Sequence, residues 1–61
     1  MTTEEQNALH ALVSEWNQIA LKCAAVAERH KAKGERLQYL EQLAFATARR
    51  ACADELKRLI P

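Results

Sequence analysis

Helix breakers are nearly absent from this chain, and their positions divide it into two long segments. The 61 residues include one glycine, Gly34, and one proline, Pro61. Neither the segment before Gly34 nor the segment after it contains a residue that would interrupt a helix. The spacing therefore predicts a single all-α domain over residues 1–61, with helix one over about 3–33, a turn at Gly34 and helix two over about 35–60.

Helix-end signals agree with these boundaries. Thr2 followed by Glu5 fits a capping box, in which the two side chains satisfy the first free amides of a helix. Basic residues precede Gly34, where the helix dipole favours cations, and glycine is the preferred residue for a left-handed C-terminal cap. Glu35 then gives a second helix the negative charge that its start prefers.

The apolar periodicity predicts which helix faces meet. Helix one carries a heptad row consisting of Leu9, Val13, Trp16, Ala20, Cys23, Ala27 and His30, flanked by Leu12, Ile19 and Val26. Helix two carries a row with a period nearer eleven residues, consisting of Leu37, Leu40, Ala44, Ala48, Cys52, Leu56 and Leu59, with Phe45 beside it. We expect the two rows to face each other in an antiparallel hairpin.

One long helix that kinks at Gly34 and pairs in a coiled coil is the alternative architecture. A glycine inside a helix costs only about 1 kcal/mol relative to alanine, so Gly34 alone does not forbid it. The change of apolar period across Gly34 and the reversal of charge there favour the hairpin.

Helix two has a second set of apolar residues, away from the row assigned to helix one. We interpret it as the oligomer interface, made of Tyr39, Leu43, Ala46, Ala53 and Ile60. A chain this short has a small core and needs added support, and self-association supplies it. The hairpin is therefore expected to assemble into a helical-bundle homo-oligomer, at least a dimer.

Charge and cysteine content exclude several classes of protein. Nine Lys and Arg against eight Asp and Glu give a net charge of +1, which is too balanced for a dedicated non-specific DNA binder. Cys23 and Cys52 show no C-x-x-C spacing and are interpreted as buried reduced thiols. In the hairpin they lie about 10 Å apart along the axis, too far for a disulfide. No apolar run is long enough to cross a bilayer, and we expect a cytoplasmic protein.

No catalytic arrangement is visible in the sequence. Ser14 is the single serine and has no glycine-rich turn around it. His10 and His30 fall on different faces of helix one, and Cys23 with His30 makes two ligands, too few for a zinc site. The sequence predicts neither an enzyme nor a metal or cofactor site.

Basic residues cluster at the turn, in the middle of helix two and at Lys57–Arg58 near its end. One interpretation is a solvated face, with helical ion pairs such as Asp54 with Arg58. The other is a site for a nucleotide phosphate or for acidic groups of a partner protein, because an arginine fork binds phosphate bidentately. The candidate binding residues are His30, Lys31, Lys33, Arg36, Arg49 and Arg50.

The C-terminal run from Arg50 to Leu56, followed by Leu59 and Ile60, resembles the "CADELEALL"-type ending of many short phage and prophage proteins. The early Leu-Val…Glu-Trp segment at 12–16 and the central basic stretch are also similar to those proteins. The resemblance implies a phage accessory protein, often one that interferes with host machinery or defence, located in the host cytoplasm. It supplies no catalytic residues.

A second resemblance is to the Rop family of plasmid RNA-binding regulators. It rests on the similar length, the Met1-Thr2…Ala8-Leu9 opening, the segment 53–56 and the hairpin plan. Those proteins bind paired RNA loops through a polar face of helix one that has a central Phe. Here the matching position is Ser14, and Gln18 is the one polar contact of that face retained.

These observations together predict a protein that acts stoichiometrically by binding. The leading hypothesis is an anti-defence or host-takeover protein that inhibits a host protein or sequesters an anionic nucleotide signal. A Rop-like regulator that binds RNA and a structural assembly adaptor are the alternatives.

Overall fold

The computed structural model describes all 61 residues and contains two helices, α1 (Thr3–Ala32) and α2 (Arg36–Leu59). The helices pack against each other along their length, and the ends of the chain meet where Gln6 Nε2 donates to the carbonyl of Pro61 at 3.5 Å. The predicted antiparallel hairpin is confirmed, and the single long helix is excluded. α1 begins where predicted and ends one residue earlier. α2 begins one residue later than predicted and ends one residue earlier.

The capping box at the start of α1 is confirmed. The backbone N–H of Glu5 donates to Thr2 Oγ1, and the backbone N–H of Thr2 donates to Glu5 Oε1, both at 3.1 Å. The hydrogen bond from the Thr2 backbone, followed by the one from its hydroxyl, lowers the pKa of Glu5 from its ordinary value of 4.5. The negative carboxylate thus stabilises the positive end of the α1 dipole.

The turn closes the C-terminal end of α1 through a complete Schellman motif. Gly34 has a φ of 76°, in the left-handed region that favours glycine. Its N–H donates to the carbonyl of Lys31 at 3.1 Å, and the N–H of Glu35 donates to the carbonyl of His30 at 2.9 Å. Glu35 occupies the N-cap of α2, where its negative charge was expected, and its side chain makes no capping hydrogen bond there.

The heptad row of α1 forms its side of the hairpin core, as predicted. Val13, Ala20 and Ala27 are buried. The remaining members of the row and its flank are half-buried, namely Leu9, Leu12, Trp16, Ile19, Cys23, Val26 and His30. Charged and polar residues occupy most of the remaining helix surface, with Leu21 as an exposed exception at 54%, so α1 is amphipathic.

The prediction for α2 is wrong, because the presumed interface row supplies the residues that face α1. Leu43 of that row is exposed at 39%, and Leu56 of the row expected at the seam is half-buried. Ala46 and Ala53 are buried against α1, and Tyr39, Gln42 and Leu56 of α2 are half-buried, as is Ile60 directly after the helix. Positions 39, 46, 53 and 60 repeat every seven residues and match the heptad row of α1, whereas an eleven-residue row rotates away from such a seam. The proposed oligomer interface is therefore corrected: Ala46 and Ala53 already lie inside the hairpin.

The row expected to face α1 lies at the surface instead. Leu37, Leu59 and Phe45 are 75%, 74% and 51% exposed, and Ala44, Ala48 and Cys52 are also exposed. Small side chains occupy the seam because they let two helix backbones approach closely, while bulky ones on the same line would hold the helices apart.

The core that results is small and the molecule is elongated. Its five buried residues are one valine and four alanines, and the Cα atoms span 48 × 14 × 9 Å. Cys23 and Cys52 are both free, in agreement with the predicted absence of a disulfide, but Cys52 is exposed and Cys23 only half-buried. Neither helix is apolar over a stretch long enough for a membrane span.

Candidate anion-binding site at the turn

The basic residues singled out in the sequence fall into two separate places. Lys31, Lys33 and Arg36 surround the turn, with His30 beside them, at the end of the hairpin opposite the chain termini. Arg49 and Arg50 lie 13 residues or more beyond Arg36, which is about 20 Å along a helix. The six candidates therefore do not form one site, and the turn and the mid-helix pair have to be considered separately.

A shallow pocket of about 200 Å³ lies at the turn, lined by Lys31, Gly34, Arg36 and Tyr39. The Nζ of Lys31 lies 5.7 Å from the centroid of the Tyr39 ring, within the range of a cation–π contact. This contact holds the Lys31 ammonium at the pocket. With Arg36 on the same wall, two positive charges border a space large enough for a small anion.

Unpaired hydrogen-bond donors lie at the start of α2, next to the pocket residue Arg36. The backbone N–H of Arg36 donates to the carbonyl of Gly34, and that of Tyr39 donates to the carbonyl of Glu35. The N–H groups of Leu37 and Gln38, between them, have no hydrogen-bond partner in the chain. The first turn of α2 also lacks an acidic residue after the N-cap residue Glu35, so no carboxylate competes there for the free N–H groups.

The acidic residue nearest the turn is engaged elsewhere. Glu35 Oε1 lies 3.1 Å from His30 Nδ1, and this is the one ion pair in the structure that meets a 4 Å limit between nitrogen and oxygen. The carboxylate faces His30 instead of capping α2, and it supplies the negative charge that a protonated His30 would need. His30 is thereby removed from the group of basic residues free to bind an anion.

The mid-helix arginines lie on either side of the buried row of α2, and both are exposed. Arg50 lines a groove of about 340 Å³ between the helices, together with Leu43, Ala24, Ala46, Thr47, Ala51 and Asp54. Asp54 places a negative charge in that groove, which weakens it as an anion site. Spacing of about 100° per residue puts Arg49 on the other side of the hairpin. The ion pair suggested for Asp54 and Arg58 does not form.

Tyr39 is a functional candidate that the sequence argument assigned to a different role. Its seven-residue spacing from Ala46 placed it in the presumed oligomer row, although it is half-buried beside the turn. The signal that could have placed it is the three-residue spacing from Arg36, because residues i and i+3 are neighbours on a helix surface. The approach of Lys31 to the Tyr39 ring depends on the path of the turn, which residue spacing in the sequence does not reveal.

The remaining polar features of the hairpin offer little further chemistry. Thr47 Oγ1 donates to the carbonyl of Leu43 at 2.9 Å, a hydrogen bond within one turn of α2. No three His, Cys, Asp or Glu side chains come together as a group that could hold a metal ion. In comparisons with known proteins, the chain matches no family model, no curated protein and no solved structure.

Proposed function

We propose that the protein acts stoichiometrically by binding, and that the pocket at the turn receives the phosphate of a nucleotide. The observation that carries this proposal is a pocket lined by Lys31 and Arg36 at the start of α2, where the N–H groups of Leu37 and Gln38 have no partner in the chain. Charged donors and free amides at a helix start are the groups that bind phosphate in many proteins. No acidic side chain lines the pocket to oppose an anion.

Each group has a distinct role in this proposal. The planar guanidinium of Arg36 binds two phosphate oxygens in parallel, and Lys31 supplies a compact positive charge. The two amides direct N–H bonds along the positive end of the α2 dipole. The pocket volume of about 200 Å³ is below the range of about 300–1000 Å³ for sites that enclose whole small molecules. It therefore suits the phosphate end of a ligand whose remainder lies outside.

The biological role that we propose is that of a phage accessory protein, directed against host machinery or defence. The similarity of its C-terminal run and central basic stretch to short phage proteins supports this role. Binding of an anionic nucleotide would remove a signal from the host cytoplasm one molecule at a time, which requires no catalytic residue. Binding of acidic groups on a host protein would use the same basic residues.

Calorimetric titration with pyrophosphate and with nucleoside di- and triphosphates tests the proposal. Replacing Arg36 with alanine is expected to weaken binding at least about tenfold, since hydrogen bonds to charged groups contribute about 1.5–3 kcal/mol. Lys22→Ala is the matched control, because Lys22 is an exposed cation of α1 far from the turn. Circular dichroism of each variant shows whether the hairpin remains folded.

The outcomes separate site binding from general charge attraction. If Arg36→Ala and Lys22→Ala weaken binding equally, the affinity comes from overall charge and the site is wrong. If neither ligand binds at moderate salt, the nucleotide proposal is rejected. Tight binding of paired RNA with a steep loss of affinity on adding salt would favour the Rop-like alternative instead.

A further inference from the structure

We infer that one broad side of the hairpin, made by both helices, is covered by a second copy of the chain. The groove at Ala24 and Arg50 marks the opposite, more polar side of the seam. Leu21 and Leu43 lie on the groove side, and helical spacing of about 100° per residue places another set of large apolar side chains from both helices on the other side. They are Leu12, Trp16, Ile19, Cys23 and Val26 of α1, and Phe45, Cys52, Leu56 and Leu59 of α2. We call this surface the apolar side.

The residues of the apolar side are left only partly covered by the chain itself. Phe45, Cys52 and Leu59 are exposed, and the other members are half-buried. No large side chain is fully buried anywhere in the molecule. A globular chain normally removes its bulky apolar residues from water, and here the small ones are inside while the large ones remain at the side. Much of the hydrophobic surface on the apolar side therefore remains in contact with water in the single chain.

The exposed surface of the elongated chain is large enough to supply an interface with a partner of similar size. The chain exposes 4679 Å², whereas a compact monomer of this mass exposes about 4000 Å². The difference of about 700 Å² is close to the roughly 800 Å² that each partner loses in a stable interface of standard size. The radius of gyration of 14.3 Å likewise exceeds the about 10.5 Å expected of a compact domain of this length.

A second copy fits this side better than an unrelated protein because the apolar side is flat, two helices wide and repeats every seven residues on α1. Leu12, Ile19 and Val26 are equally spaced, so a two-fold axis near Ile19 would set each Leu12 against the Val26 of the other copy. Arg49 lies on the same side, where its aliphatic stem can pack against the apolar residues while its guanidinium reaches the rim. Two hairpins joined in this way form a four-helix bundle.

The apolar side gives the expected homo-oligomer a defined interface, and this interface does not depend on the anion site. Sedimentation equilibrium over a series of low-micromolar concentrations is expected to give a mass twice the 6.9 kDa of the chain. Phe45→Asp is expected to weaken the dimer at least about 30-fold, as loss of a central aromatic contact does. Leu21→Asp is the matched control, because Leu21 is 54% exposed and Phe45 51% exposed in the single chain. Helical spacing places Leu21 on the polar side.

Thiol reactivity gives a second measurement that does not require a destabilising variant. In a Cys23→Ala background, the exposed thiol of Cys52 is expected to react at least about tenfold more slowly as protein concentration rises through the dimerisation range. The control carries Cys23→Ala, Cys52→Ala and Ala51→Cys, which moves the thiol by one residue towards the polar side. Its reactivity is expected to be independent of concentration.

A wild-type protein that stays monomeric and folded would overturn the inference. So would a dimer that Leu21→Asp disrupts as strongly as Phe45→Asp, or a Cys52 thiol whose reactivity does not change with concentration. Pyrophosphate binding of the Phe45→Asp variant is measured as well as its mass. The mass tests the dimer and the titration tests the anion site, so failure of one proposal is distinguished from failure of the other.

Discussion

The two helices differ in what holds them in place. α1 has a capping box at one end, a Schellman motif at the other and one apolar row. α2 has no side-chain cap at its start, no acidic residue in its first turn and large apolar residues on sides that α1 does not cover. α1 is therefore specified largely by its own sequence, whereas α2 depends on what packs against it. The difference teaches that the helix with fewer local stabilising features also contributes the more exposed residues, Phe45 and Leu59, to the apolar side.

The strongest test of this difference is to enlarge the seam. Ala53 is completely buried between the helices, so Ala53→Leu adds bulk where the backbones approach closely and is expected to cost about 1–3 kcal/mol of unfolding free energy. Ala48→Leu makes the same chemical change on the exposed surface of α2. It is expected to change the unfolding free energy by less than about 0.5 kcal/mol.

Urea unfolding at one fixed protein concentration measures both variants. Fixing the concentration matters because assembly would make apparent stability depend on it. Equal losses for Ala53→Leu and Ala48→Leu would mean that the seam is not closely packed, and the contrast between the two surfaces of α2 would fail.

The same dependence of α2 on its neighbours explains which parts of the structure the sequence could predict. Caps and breakers act over a few residues, so Thr2, Glu5 and Gly34 were sufficient to place α1 and the turn. The heptad row of α1 was also readable, because a single apolar row leaves one choice of face. α2 has two apolar rows, and the row with the bulkier side chains predicts the wrong face. The seam needs small residues, which are Ala46 and Ala53.

The candidate site divides in the same way between local and long-range information. The cluster at Lys31 and Arg36 is contiguous with the turn and could be found from charge alone. The loss of His30 to Glu35 could not, because a Schellman motif brings residues five apart into contact. Arg49 and Arg50 are adjacent in the sequence, yet the helical rotation places them on opposite sides of the seam, and both are exposed.

A change at the turn tests how well α1 is terminated. Gly34 has a φ of 76°, and nothing lies within 4 Å of a Cβ added there. Gly34→Ala is therefore expected to cost about 1 kcal/mol through backbone strain and not through a clash. Gly34→Asn is expected to cost less, because asparagine adopts this conformation more readily. Thermal unfolding checks the order glycine, asparagine, alanine, and an unchanged melting temperature for Gly34→Ala would contradict the strained turn.

The smallest expected effect concerns the start of α1 and its response to acid. The pKa of Glu5 is lowered in the folded chain by the Thr2 backbone N–H and then by the Thr2 hydroxyl. A group whose pKa is lower in the folded state contributes stability above its unfolded value of 4.5, and that stability is lost as pH falls through the lower folded value. Glu5→Gln keeps an acceptor for the Thr2 N–H but does not titrate.

The wild type is accordingly expected to melt above the Glu5→Gln variant at pH 7 and to lose that advantage at pH values below the folded pKa. Glu4→Gln is the matched control, because Glu4 also lies in the first turn of α1 but makes no side-chain hydrogen bond. Its difference from the wild type should vary less with pH. If the Glu5 and Glu4 variants respond alike, the pH dependence comes from the helix dipole alone and the capping box contributes no titrating interaction of its own. In that case α1 would be no better specified at its start than α2 is.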